Sequence, residues 1–339
     1  MTDTLGQTLT PSERDNLTVW DGTRPGWYEV YYLKLNHRES GTAFWLRYTL
    51  LSPVAGRGNP VAELWGIAFD PADPARNLAL KRTVPITEAE IGRDRFRFRV
   101  GDAELRHSSA RGLLEGRAGR LEWDLAWDPP IGTFRHFPHE ALYRLALPKT
   151  KVLVPNQDVR FRGIVRWNDR AIDCAGEPGQ QTHIWGTKHA ERWVWGHGNL
   201  FDGDVDASFE CLAARIRVGP VVTPDLTLLF LRRGERWHRL NALWRAPFRR
   251  VGADLPRFTF AGSGDGIRLR GEASARPEDF VGVEYTDPDG EHLWCYNTKV
   301  ADLRIEAEDG GASQVLTAHR TFALEFVQRC RDPRFPIRI

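Results

Sequence analysis

Three of the chain's ten histidines, His183, His189 and His197, fall within residues 178–203, PGQQTHIWGTKHAERWVWGHGNLFDG, beside three of its thirteen tryptophans, Trp185, Trp193 and Trp195. Imidazole moves protons near neutral pH. An indole face stabilises a nearby cation by ~0.5–2 kcal/mol, more where water is excluded. Hydration, cyclisation or isomerisation of an alkene needs both functions once a proton donor has made a carbocation. His183 and His197 are the expected proton donors or relays. Asp202, just after the block, and Glu29, on an otherwise aromatic segment, are the expected acids, because apolar surroundings raise a carboxyl pKa toward the range of a general acid. Trp185, Trp193 and Trp195, joined by Trp27, Trp45, Trp65 and Trp123 from the first half, are the expected substrate-binding faces, with Asn199 orienting substrate or water.

Spacing gives the block a shape. His183 and Trp185 are two apart, as are Trp193, Trp195, His197 and Asn199 in turn. Residues two apart in a strand share a face. A β-hairpin closed by a turn over residues 186–191 would bring both sets to one face. Singly, each of these residues serves packing as well as chemistry, since large indoles plug cores and buried imidazoles commonly bond a backbone carbonyl. Their mixture on one face is what favours a pocket over a core.

Other chemistries find less support. His183, His189 and His197, or His136, His139 and Glu140 in HFPHE, are ligand types suited to zinc or iron. There is no HExxH, His189 is expected on the hairpin turn, and His136 and His139 are expected to cap loops or fill the interface between barrels, with a place at the pocket mouth as the alternative, so no metal is expected. No GxSxG, P-loop or GxGxxG-plus-helix pattern is present, and no cofactor is expected. AGSGDG (residues 261–266) reads as a tight turn between strands. Asp173 and Glu177 read as a solvated turn, and Glu122 and Asp124 as structural salt-bridge partners. The four cysteines show no CxxC and fit buried, reduced thiols in a cytoplasm.

These groups must be positioned by strands, because nearly every segment reads as one. WYEVYYLKL (27–35) and TAFWLRYTLL (42–51) are aromatic and β-branched and are joined by HRESG. RFRFRV (95–100) alternates as a strand with one wet and one dry face does, and ARGLLEGRAGRLEWDLAW (110–127) reads as a hairpin. ITEAEIG and HEALYRLAL offer short helical pieces, whereas LTAHRTFALEFVQR (316–329) reads as a closing strand. Prolines at both ends of PKTKVLVPNQD (148–158) suggest a strap between two β units, 1–150 and 151–339. Turn signals every eight to twelve residues or so mark an antiparallel sandwich or barrel. Lys and Arg total 47 against 45 Asp and Glu, interspersed, so no nucleic-acid partner is expected. The polar N-terminus reads as no signal peptide. No window approaches a membrane span, which leaves peripheral membrane contact open.

The aromatic first strand, WLRYTLLSP, the GLLEGRAGRLEWDL hairpin, PKTKVLVP, FRGIVRW and above all GQQTHIWGTKHAERWVWGHGNLF resemble one family. It is that of the double lipocalin-like (calycin) proteins, which includes carotenoid 1,2-hydratase (hydroxyneurosporene synthase), tocopherol cyclase and the lipocalin-like Diels–Alderases. The resemblance spans roughly residues 27–326 and is most specific over 183–201. It implies two β-barrels side by side, a pocket in or between them, and a hydrophobic, isoprenoid or polyene substrate handled without metal or redox cofactor. The expected activity is therefore cofactor-independent hydration, cyclisation or isomerisation of such a molecule. The alternative is a carrier that only binds it. Oligomeric state is left open.

Overall fold

A computed structural model describes residues 8–339; residues 1–7 of the polar N-terminal stretch lie outside the described residues. The chain is all-β, with two large antiparallel sheets side by side. The first has twelve strands and runs from Leu78–Pro85 through Val61–Phe69, Ala43–Ser52 and Trp27–Asn36 to Arg170–Gly186, then Thr150–Trp167 and Gly119–Ala126, ending at Ala89–Gly92. The second has ten, with Ala207–Arg215, Arg192–Gly198, Ala312–Gln328 and His292–Asp309 at its centre. Each sheet curls around its own apolar core, the double-barrel arrangement that the family resemblance implies.

A third apolar cluster fills the seam between the sheets, with Tyr28, Tyr32, Trp45 and Trp65 from the first facing Trp195, Val283, Tyr285 and Val327 from the second. It explains why WYEVYYLKLN carries no polar face. Trp27, Tyr31, Leu33 and Leu35 point into the first barrel, and Tyr28, Val30 and Tyr32 point into the seam. A strand covered on both sides reads as a continuous apolar run. RFRFRV behaves as expected, with Phe98 and Val100 buried and the arginines between them outward.

Four expectations need correction. The two arms of the predicted hairpin do not pair. His183 and Trp185 lie on Arg170–Gly186, bonded to Trp27–Asn36 and Thr150–Trp167. Trp193, Trp195 and His197 lie on Arg192–Gly198, bonded to Ala207–Arg215 and Ala312–Gln328. Residues 187–191 therefore carry the chain from one sheet to the other. The expected division at residue 150 is not that crossing: the strap is part of the strand Thr150–Trp167 in the first sheet, and register shifts on either side of Asn156 accommodate Pro155, as bulges allow. The expected helical pieces are 3-10 turns, Ile86–Glu88 and Glu140–Tyr143. Glu177 is buried within a strand, where it accepts the Arg38 backbone N–H at 2.9 Å. Residues 316–328 are strand as read, and Glu122 pairs with Arg120 at 3.0 Å.

Candidate functional site

A cavity of about 510 Å³ opens in the seam, and Tyr32, Trp45, Trp193, Trp195 and Tyr285 contribute to its wall. Alternation along Arg192–Gly198 aims Trp193, Trp195 and His197 at the seam. Gly196, between them, faces the second barrel, where a Cβ would lie 2.5 Å from the Phe322 ring. Tyr32 meets Trp195 edge-on with ring centres 5.5 Å apart. A larger, open hollow of about 940 Å³ lies along the second sheet. Arg270 and Arg304 there already share Glu306, and no aromatic wall comparable to that of the seam surrounds it.

Two buried histidine–carboxylate pairs reach the seam cavity. His189, on the crossing segment, is stacked against Tyr28 at 3.9 Å and Trp193 at 5.5 Å. Its Nδ1 donates to Asp287 Oδ1 at 2.6 Å, and its backbone N–H donates to the same oxygen at 2.9 Å. Arg329 holds the other Asp287 oxygen at 2.8 Å. Burial pushes the His189 imidazole below its ordinary 6.5, only partly opposed by Asp287. Burial would raise Asp287, but the bonds and charges of His189 and Arg329 overcome it and hold the carboxylate ionised. Nδ1 being the donor, Nε2 is the basic nitrogen, and no described residue bonds it. The second pair is His136 Nε2 to Glu210 Oε1 at 2.6 Å, with Trp195 Nε1 donating to the same oxygen at 3.0 Å. Lys299 Nζ binds Glu325 at 2.8 Å on a further stretch of wall, its ammonium 5.4 Å from the Trp195 ring centre.

Of the predicted residues, Trp45, Trp193 and Trp195 line this cavity. Trp65 is close by in the seam, with Lys81 Nζ 3.9 Å from its ring centre and Arg47 on it. Trp27, Trp123 and Trp185 are instead core of the first barrel. Glu29 and His183 pair there at 2.8 Å. Burial would raise Glu29, but the His183 bond and charge, the Val19 N–H and the Tyr31 hydroxyl lower its pKa overall, the reverse of what a proton donor needs. His183 spends its second nitrogen on the Asp15 carbonyl at 2.8 Å and does not line the seam cavity. His197 is wholly buried with neither nitrogen bonded, and burial, then the Lys34 charge, hold it well below 6.5. Asn199 fastens Lys34 at 3.2 Å and Asp158 at 2.8 Å. Asp202 is exposed, its backbone N–H on Thr317.

The sequence reading did not single out Arg47, Glu210, Asp287 or Glu325. Arg47 and Glu210 carried the signal that pointed to Glu29, a lone charge in an apolar strand. Asp287 follows the strand Val281–Thr286 and carries no such signal. The three histidines weighed as metal ligands are dispersed among first barrel, crossing and seam. Among the described residues, ligand atoms gather only at Asp287, Asp289 and Glu291, where Lys188 binds Asp289 at 2.5 Å and Glu291 at 2.8 Å.

Exposed apolar side chains gather in segments that border the cavity. Of the twelve most exposed large apolar side chains among the described residues, eight fall in three segments that reach it: Leu145 and Leu147; Val218, Val221 and Val222; and Leu243, Trp244 and Phe248.

No family model matches the chain. It is 28% identical over 316 residues to the uncharacterized protein Rv0493c of Mycobacterium tuberculosis, covering 91% of this chain and 89% of that one. Three solved structures share its fold. A Nitrosomonas europaea protein described as an AttH superposes with TM-score 0.57 at 11% identity, covering 97% of this chain and 100% of that one. CghA gives 0.54 at 11%, covering 96% and 94%. Kievitone hydratase from Nectria haematococca gives 0.53 at 10%, covering 89% and 88%. The fold is lipocalin-like and double. Among the described residues no helix is long and apolar enough to cross a membrane.

Proposed function

We propose that the chain is a hydratase-type enzyme that adds water to, or removes it from, a carbon–carbon double bond of a hydrophobic small molecule, a terpenoid or polyene, held in the seam cavity. The observation that carries this reading is an aromatic cavity reached by two buried histidine–carboxylate pairs. His189 Nε2 takes a proton from water as the oxygen bonds one alkene carbon. Asp287 and Arg329 fix the ring, and the Asp287 charge stabilises the imidazolium that forms. The His189 imidazolium then gives that proton to the second carbon, which restores the neutral base. Trp45, Trp193 and Trp195 exclude water and offer π faces to positive charge on the substrate. The proposed steps call on no cofactor. Kievitone hydratase sharing this fold is consistent with the reading, although fold alone does not fix chemistry.

The test uses the purified protein, a terpenoid and polyene extract, and heavy-oxygen water, with mass spectrometry of the bound and released molecules. Wild type is expected to place label in a recovered molecule. His189→Gln is expected to lose labelling while the ligand still quenches tryptophan fluorescence. A ligand retained unchanged and unlabelled by wild type would replace the enzyme with a carrier.

A further inference from the structure

The cavity wall carries a buried cation with no anion of its own. Arg47, on the strand Ala43–Ser52, is only 5% exposed. Its Nε donates to Thr49 Oγ1 at 2.9 Å. Its guanidinium carbon lies 4.1 Å from the Tyr285 ring centre, 5.2 Å from that of Trp65 and 5.9 Å from that of Trp45. No carboxylate of the described residues pairs with it. Its two terminal nitrogens have no hydrogen-bond partner among the described residues. They are not sealed in, as the unbonded nitrogens of His197 are, but keep accessible surface on the cavity that Arg47 lines.

Most other charges on the wall are matched. Lys188 pairs with Asp289 and Glu291, Arg217 with Glu191 at 2.9 Å, and Glu325 with Lys299. Only Lys149, beside the exposed Leu147, is likewise unpaired among the described residues. Stripping water from a guanidinium costs several kcal/mol when no anion replaces it. Aromatic faces recover part of that cost, but they leave the two-pronged donor edge empty. Such an edge fits the two oxygens of a carboxylate, a fit that an ammonium cannot copy.

We propose that Arg47 is the anchor for a carboxylate on the ligand, so that the cavity takes an amphipathic acid: an apolar body against the indoles and an ionised head on the guanidinium. This rests on the seam cavity being the ligand site. The proposed reaction does not require it, because Arg47 has no step in that chemistry.

Two probes with one polyene body separate the contributions: all-trans-retinoic acid and all-trans-retinol, titrated against tryptophan fluorescence in mildly alkaline buffer. Wild type is expected to bind the acid roughly tenfold or more tighter, the size of one charge-assisted hydrogen-bond pair. Arg47→Met is expected to erase the preference while retinol affinity stays within a few-fold. Lys149→Ala, at the mouth, is expected to keep it. Melting curves accompany each variant, and the wild-type comparison stands even where Arg47→Met does not fold. Equal binding of acid and alcohol by wild type overturns the inference and leaves the proposed reaction standing. A preference that survives Arg47→Met, or that disappears in Lys149→Ala, overturns the assignment to Arg47. Failure of both probes to bind overturns the inference together with the seam cavity as the ligand site.

Discussion

Buried charge in this protein comes in two kinds, and their chemistry differs. Glu29 receives five hydrogen bonds, from the Val19 and Trp20 backbone, Trp27, Tyr31 and His183. It is a solved electrostatic problem and a poor acid. Lys34 is the opposite case, with only the Asn36 and Asn199 oxygens at 3.2 Å and no carboxylate bonded. Burial, then the nearby Lys299 charge, bring it down to about 7 from 10.5. Between those values the unfolded chain holds a proton that the folded chain has released, so stability rises with pH. The wild type is expected to gain stability between neutral pH and about pH 10, by roughly 3–5 kcal/mol at most from this group. Denaturant melts compared with Lys34→Met, in which this component disappears, measure it; parallel pH profiles would refute it. At the site, the lowered His189 pKa predicts an acid limb of kcat/KM below pH 6.5, because the base must be neutral in the free enzyme. A limb above that value would point to another base.

At the level of the element, Arg192–Gly198 holds both sheets' demands in seven residues. Its indoles face the seam, and Gly196 lets the Phe322 ring lie flat on the strand from the other side. Gly196→Ala is expected to push the strand toward the cavity at a cost of roughly 1–3 kcal/mol, as overpacking does. Melting temperature and the fluorescence of Trp195 report it together. The face of each residue in this strand was legible from period two alone, and so were its aromatic and imidazole composition and the hairpin at residues 110–127, where the turn chemistry is local. Partnership was not legible. His183 and Trp193 are ten positions apart, yet each pairs with strands distant in sequence, Trp27–Asn36 for one and Ala312–Gln328 for the other. Period two assigns a face, but the identity of the sheet that covers it is long-range information. For the same reason, Glu29 and Glu210 give the same signal in sequence although one plugs a barrel and the other meets His136.

At the scale of the whole molecule, placing the cavity in the seam gives the exposed apolar side chains beside it a role. The two barrels meet over Trp45 and Tyr285. The segments beside the cavity, residues 145–149, 217–222 and 243–250, contain no acidic residue and five basic ones, Lys149, Arg217, Arg245, Arg249 and Arg250. They leave Trp244 69% and Phe248 82% exposed. Exposed apolar side chains grouped in this way mark a place where something apolar arrives, and a hydrophobic ligand leaving a micelle or carrier would meet them before the cavity. The rim and the wall then have separable jobs: the rim sets how fast a ligand goes in, and the wall sets how tightly it stays. Trp244→Ser with Phe248→Ser is expected to slow stopped-flow uptake of retinol several-fold and to leave equilibrium affinity within about twofold, since neither side chain lines the cavity. Both residues are exposed, so melting temperature should hold or rise. If affinity falls in step while the uptake rate holds, these two side chains belong to the binding surface itself, and the boundary of the site must be moved outward to include them.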